Sequence, residues 1–452
     1  MRKDNKLART LFAVLLSLLM IGMMTGCTGE EAQASGAAAG AADGKTLYIW
    51  SWNADFRDRF NDYYPGVVRV EGDGSATTME DGTVIQWVIV DEGDYQKELD
   101  QALAKQADGT SPATVDLFLV KAGPACKYVN SDVSLDIGEI GVENDPDDQY
   151  AYTRQVMTDA DGKVKGVTWL ADPGLMVYRR SIAEAVLKTD DPENVQEALK
   201  DWTNFEETAV QVDMNRYTML SAYDDVFQAF SCNLKEPYVQ DGKTLKVDDG
   251  ILKWAELIKE LADEGNVKGN KRNSAAWNED MGEESDVFLW PLTVSEFSAL
   301  RKNGVSGDFG LCQGPAGWTR GGMWILAANG TSDAALDAEI MTTMTTDPAV
   351  LKTLAIEEGD FVNSKSLVQE LIEGDEGDEF FGGQETFAVL DAAASAVEMT
   401  QGGAYDQDIN NRLRSAFLPY FTEEAELEEA QEAFEQSIRK LHPEIESVTW
   451  PE

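Results

Sequence analysis

Residues 46–60 read TLYIWSWNADFRDRF, and their reading decides the fold. Thr46 to Trp52 is an apolar, aromatic run that suits a buried strand; a polar break follows, and Phe56 and Phe60 then recur at helical spacing. The body of the chain therefore opens on a βα unit. Outward from it the alternation repeats. Thr83 to Val90 reads as a second strand, Tyr95, Leu99, Ala102 and Leu103 mark a helix, and Val115 to Val120 is another buried strand. Val177 and Tyr178 precede a helix beginning near Ser181, and Trp202 to Val212 is helical. Such alternation predicts an α/β fold with a largely parallel sheet, and its recurrence predicts a second α/β lobe. Near the end, Leu427, Ala430, Phe434, Ile438 and Leu441 form an apolar stripe on a helix from about Glu423. The Gly- and acid-rich stretch 373–383 reads as a surface loop near a cleft.

Ahead of this body, Arg2, Lys3, Lys6 and Arg9 precede an apolar run from Leu11 to Met24. That run is too short to span a bilayer comfortably and reads as an export signal. Met24-Thr25-Gly26-Cys27 resembles the lipobox of bacterial lipoproteins, although Met24 stands where Leu is usual. The resemblance implies removal of residues 1–26 and a lipid on Cys27; an ordinary secreted protein is the alternative. From 28 to 44 the sequence is almost entirely Ala, Gly, Ser, Thr and Glu and reads as a flexible tether. The expected location is the outer side of the cell membrane, held by the lipid alone, either extracellular or periplasmic.

Acidic residues outnumber basic ones 82 to 37, a net charge of −45. That field repels phosphate backbones, so nucleic acid is not an expected partner. With Cys27 lipidated, Cys126, Cys232 and Cys312 allow at most one disulfide, and a lone His442 argues against a Cys/His zinc site. No metal or cofactor is expected, and His442 reads as a surface residue after the last helix.

Several segments, in order, resemble the extracellular solute-binding proteins of bacterial carbohydrate ABC transporters, the maltodextrin-binding type (family 1). They are TLYIWSWN, VDLFLV, GVTWLADPGLMVYRRS, DWTNFEE, GGMWILAANGTSDAALDAEIMTTMTTDPAV and YDQDINNRLRSAFLPYF. The resemblance covers nearly the whole chain. It implies the two-lobed periplasmic-binding-protein-like α/β fold (type II), with a ligand between lobes that close by hinge bending. It also implies crossings between lobes near Leu170 to Gly174, Gly310 and Ala355. The first lobe would then be 45–170 plus 311–355, and the second 171–310 plus 356–452. A monomer that passes a sugar to permease subunits is expected.

A sugar presents apolar C–H faces and a rim of hydroxyls, so its site needs aromatic planes with carboxylates or amides around them. Trp52, Asn53 and Asp55 follow the first strand, at the carboxyl end where open α/β sheets place ligand groups. Trp52 under the first helix and Asn53 as its cap is an equal alternative, and Trp50 alternates toward the core. Lys121 ends the strand 115–120 and is either a hydroxyl donor or a solvated loop lysine. Asp172 lies at the first crossing, as a ligand acceptor or as a turn cap before Pro173. In the second lobe the resemblance points to Tyr223, Asp224, Trp290 and Glu296, with Trp290 the foremost stacking candidate and a core tryptophan its alternative. In GPAGWTRGGMW, Gly322 marks a close backbone approach or simple strand-end geometry, and either Trp318 or Trp324 is expected to reach the cleft. Phe381 and Gln384 complete the set.

A glycoside hydrolase is the rival from another class, because two carboxylates flanking a sugar suffice for it. Carboxylates are too abundant here for a pair to discriminate. No Ser-His-Asp triad fits with His442 alone, no phosphate-binding loop is present, and Asp159 with Asp161-Gly162 is only a fragment of an EF-hand. A sensor module would use the same binding chemistry.

Overall fold

The computed structural model describes residues 45–109, 112–399 and 402–451. The export signal, Cys27 and the tether lie outside them. In chain order the strands are β1 (Thr46–Ser51), β2 (Val67–Val70), β3 (Ala76–Met79), β4 (Val84–Ile89), β5 (Leu117–Val120), β6 (Gly166–Val167) and β7 (Gly174–Arg179). There follow β8 (Thr244–Lys246), β9 (Leu289–Thr293), β10 (Phe309–Cys312), β11 (Trp324–Ala327) and β12 (Ser447–Thr449).

Seven strands form the sheet of the first lobe, in the order β2-β3-β4-β1-β5-β11-β6. Its centre is parallel, with β1 running beside β4 from Thr46↔Val84 to Ser51↔Ile89 and beside β5 on the other side. Helices cover both faces of this centre, so every residue of β5 and of β11 is buried. Helix Asp55–Tyr63 follows β1 as the sequence predicts. Asp55 and Asp58 favour its positive end, and Phe56 and Phe60, one turn apart, bury against Leu47, Ile49 and Trp87. Helix Glu92–Ala107 buries Tyr95, Leu99 and Leu103 in the same core.

The second lobe departs from the predicted parallel arrangement. Its sheet, β10-β7-β9, is antiparallel throughout, with β9 and β10 flanking β7 on either side. Period-two alternation in β7 divides the interior. Met176 and Tyr178 enter a core with Phe205, Trp254, Phe417 and Phe434, whereas Leu175 and Val177 face the core that continues into the first lobe. Helices Lys365–Glu373 and Thr386–Ser395 contribute Leu367, Leu371 and Leu390 to that continuous core.

Two segments connect the sheets, and a third, at 361–363, is tied to the first. The first is 170–174: Ala171 N–H donates to Phe361 O at 2.9 Å, and Gly174 N–H donates to Trp318 O at 2.7 Å. Isolated bridges join Leu170 to Val362 and Pro173 to Thr319. The second crossing follows Cys312, still paired with Met176 in β10, so it comes later in the chain than Gly310. The third passes through Phe361 and Val362, and Asn363 N–H donates to Trp169 O at 2.7 Å. Gly174 is required here, because a Cβ would meet the Trp318 ring at 2.2 Å. Among the described residues Cys126, Cys232 and Cys312 are free, and no helix is long and apolar enough to cross a membrane.

Candidate functional site

Two adjoining cavities lie between the lobes, of about 420 and 610 Å³. Trp52, Lys121 and Arg320 line both, which makes them one cleft with two arms.

The first lobe supplies the loop after β1. Trp52 is half-buried, edge-on to Tyr95 with centroids 5.7 Å apart, and the Lys121 ammonium stands 5.1 Å from its ring centre. Tyr95 is buried, and its hydroxyl donates to Leu119 O at 2.7 Å, fixing the strand end that carries Lys121. Lys121 pairs with Glu92. Asn53 and Asp55 line the larger arm but are engaged with each other. Asn53 Nδ2 donates to Asp55 Oδ2 at 2.6 Å, and Asp55 N–H donates to Asn53 Oδ1 at 3.2 Å. The helix N-cap is Ala54, and Asn53, one residue earlier, lines the larger arm while accepting from Asp55 N–H.

The crossings supply the floor. Asp172 is buried with a backbone φ of 24°, and its carboxylate accepts from Ser295 N–H at 2.9 Å and from Ser295 Oγ at 3.1 Å. Burial pushes this carboxyl up to about 6 despite those donors. Glu296, three residues after Thr293, accepts from Thr293 N–H at 2.9 Å and takes Arg272 Nη2 at 2.8 and 3.0 Å. Arg272 also holds Asp225 at 2.8 Å, and Trp277 Nε1 donates to the same carboxylate. Although burial opposes it, Arg272 and Arg320 hold Glu296 below the usual carboxylate range. Gly322, at φ 104°, lines the larger arm, with the Trp324 ring 2.6 Å from where a Cβ would sit.

The smaller arm is closed by helix Asp406–Phe421. Ile409, Leu413, Phe417 and Phe421 face the second core, which turns Asp406, Asn410, Asn411 and Arg414 to the cleft. Arg414 holds Asn411 at 2.6 Å and Asp224 at 3.4 Å.

Several expected contacts are not in the cleft. Trp290 is fully buried, edge-on to Phe309 at 5.7 Å and beside the Arg179 guanidinium, because its strand is covered on both faces. Trp318 and Trp324 are buried too. One packs over Gly174, and the other donates its indole N–H to Thr153 O at 2.9 Å, so neither reaches the cleft. Phe381 packs on Phe297 at 5.2 Å inside the core. Gln384 is spent on β10, accepting from Leu311 N–H and donating to Leu311 O, both at 2.8 Å. Tyr223 packs against Phe421 and Gly269, and Asp224 pairs with Arg414.

Sequence reasoning missed Arg320, Arg414, Asn410, Asn411 and Gln228. Arg320 carried a signal: it is the only basic residue between Lys302 and Lys352, set between aromatic and glycine neighbours. The helix residues carried another, a polar stripe opposite an apolar one.

Two α/β lobes flank a polar cleft with an aromatic wall, the arrangement of a solute-binding protein. The chain belongs to the bacterial extracellular solute-binding protein family, whose model matches residues 77–356. A solved extracellular solute-binding protein of family 1 is similar with a TM-score of 0.70 at 14% identity, over 88% of this chain and 99% of that one. The sugar-binding protein MalE from Xanthomonas citri gives 0.65 at 13% identity, over 88% and 97%. The ABC transporter associated binding protein from B. animalis subsp. lactis, solved with β-1,6-galactobiose, gives 0.63 at 16% identity, over 90% and 100%. A search of curated protein sequences found no match.

Proposed function

We propose that this chain captures a sugar or short oligosaccharide in the interlobe cleft and delivers it, unaltered, to the permease subunits of an ABC importer. The observation that carries the reading is the cleft itself. Trp52 offers an aromatic wall in the first lobe, and Asn410, Asn411 and Gln228 face it from the second, the pairing of plane and amide rim that a saccharide requires. The solved proteins of like fold include complexes with galactobiose, acarbose and lacto-N-biose, which supports the ligand class. Export and a lipid on Cys27 would hold the protein at the outer face of the membrane, acting as a monomer through the tether.

A thermal-shift screen against sugars, polyols, amino acids and peptides tests this, with chromatography of each hit after overnight incubation. A raised melting temperature with intact sugar is expected. Cleavage of the hit would convert the reading to a glycoside hydrolase, and shifts confined to non-sugars would refute it.

A further inference from the structure

Arg320 lies on the second crossing, at the junction of the two arms. Its backbone neighbours are fixed. Thr319 Oγ1 donates to Asp172 O at 2.8 Å, Cys232 Sγ donates to Thr319 O at 2.9 Å, and Trp318 O takes Gly174 N–H. The side chain keeps 23% of its surface exposed, yet its Nε and Nη2 are buried without an acceptor. The nearest carboxylate, Glu296, stands 3.8 Å from Nε, beyond hydrogen-bond distance, and is already held by Arg272 and Thr293.

The other cations of the cleft are satisfied. Lys121 has Glu92, Arg414 has Asp224 and Asn411, and Arg59 has Asp360 through two bonds of 2.7 and 2.6 Å. Burial, with the like charge of Arg272 next, pulls the Arg320 guanidinium down to about 10, although Glu296, Asp225 and Asp224 oppose the shift. A buried guanidinium with unmet donors is costly in the protein alone, and a planar anion that meets its exposed edge as the cleft closes would supply the missing acceptors.

We infer that the sugar taken by this cleft carries a carboxylate, as a uronic-acid unit does, and that Arg320 receives it while the amides of Asn410, Asn411 and Gln228 meet its hydroxyls. The inference rests on the sugar reading and narrows it. A sugar phosphate offers related chemistry, and the Arg fork and tetrahedral phosphate are separated by experiment.

Binding to the full chain is measured by calorimetry for matched pairs: galactose and galacturonate, glucose and glucuronate, and their disaccharides, with glucose 6-phosphate, glutamate and citrate as further probes. The acid is expected to bind about 100-fold tighter than its neutral partner, the scale of two charge-assisted hydrogen bonds. Arg320→Gln should abolish that preference without lowering the melting temperature of the free protein, which a merely structural arginine would not allow. Arg320→Lys, which keeps the charge but loses the fork, should retain part of it, and serves if Arg320→Gln does not fold. Equal affinity for neutral and acidic partners overturns this inference and leaves the sugar reading standing. Arg320-dependent capture of the sugar phosphate with no uronate binding overturns the carboxylate assignment. Binding of glutamate or citrate with no sugar of either kind overturns the sugar reading and this inference with it.

Discussion

Trp290 and Trp52 separate a core tryptophan from a cleft tryptophan, and replacing each by alanine should give opposite signatures. Trp290 is 0% exposed and packed against Phe309 and Arg179, so its truncation leaves a cavity that the covered strand cannot close. Large-to-small changes of this kind cost about 3–5 kcal/mol. Its indole N–H is buried without an acceptor, and losing that unmet donor offsets about 1 kcal/mol or more. A net loss of about 3 kcal/mol is expected, from the lower part of the range. Affinity of the folded fraction should stay within about twofold, a difference well under 1 kcal/mol. Trp52 is half-buried with part of its surface in the cleft, so Trp52→Ala should cost at most about 1 kcal/mol of stability, as partly exposed positions do. Removing the plane should weaken sugar binding by about 2 kcal/mol, from ring contact plus apolar area, or roughly 30-fold. Urea unfolding followed by circular dichroism reads the first quantity and calorimetry the second. If Trp290→Ala left stability within about 1 kcal/mol while abolishing affinity, the assignment of these rings to core and cleft would be refuted.

Gln384→Ala removes both side-chain bonds to Leu311 and should lower urea stability by about 1–3 kcal/mol with unchanged affinity, since the residue braces an edge strand. Arg272→Met leaves Asp225 and Glu296 buried without their cation and should cost about 3–5 kcal/mol in the same assay; a loss below about 1 kcal/mol would count against the buried network. Burial pushes the Asp337 carboxyl up to about 7, with the nearby Asp116 and Asp333 charges adding to it after the opposing Thr331 bond. This folded value lies above the unfolded one, so its contribution is complete below about pH 4 and is lost as pH rises through 7. Asp337→Asn should therefore stabilise the protein by on the order of 2–4 kcal/mol at pH 8, shrinking toward pH 4, as urea midpoints across that interval would reveal.

The first lobe was legible because its signals are local. Phe56 with Phe60, and Tyr95 with Leu99 and Leu103, bury one side of a helix each, and the intervening apolar runs fall on strands covered on both faces. The second sheet was not, because LWPLT and FGLC carry no mark of direction, and they lie far along the chain from β7, beside which both pair antiparallel. Tryptophan misled for a related reason. A tryptophan near Gly or Pro at a strand end reads alike whether it covers a crossing or faces a ligand, and here Gly174 and Gly322 exist to admit the Trp318 and Trp324 rings. The polar stripe of the helix Asp406–Phe421 was visible, but opposite an apolar stripe it looks like any solvated face until the first lobe is placed across from it.

What the tryptophans do for the crossings explains why a charged residue sits at the centre of the cleft. Trp318 seals the Gly174 backbone, Asp172 at φ 24° accepts from Ser295, and Thr319 is bound from both sides, so Arg320 projects from a constrained backbone. A positive φ at a non-glycine residue costs on the order of 1–3 kcal/mol and persists only where neighbours over-determine it. A rotation of the lobes about these crossings displaces their outer parts most and the crossings least. In such a rotation Trp52 and Lys121 on one side, and Asn410, Asn411 and Arg414 on the other, would change their separation, while Arg320 would stay near the axis. A ligand group seated on Arg320 would keep its partner throughout such a motion, and the remaining contacts would form around it as the lobes approach. The anchor would bind in both arrangements, and the contacts formed around it only on closure would supply the differential affinity that any ligand-driven closure requires.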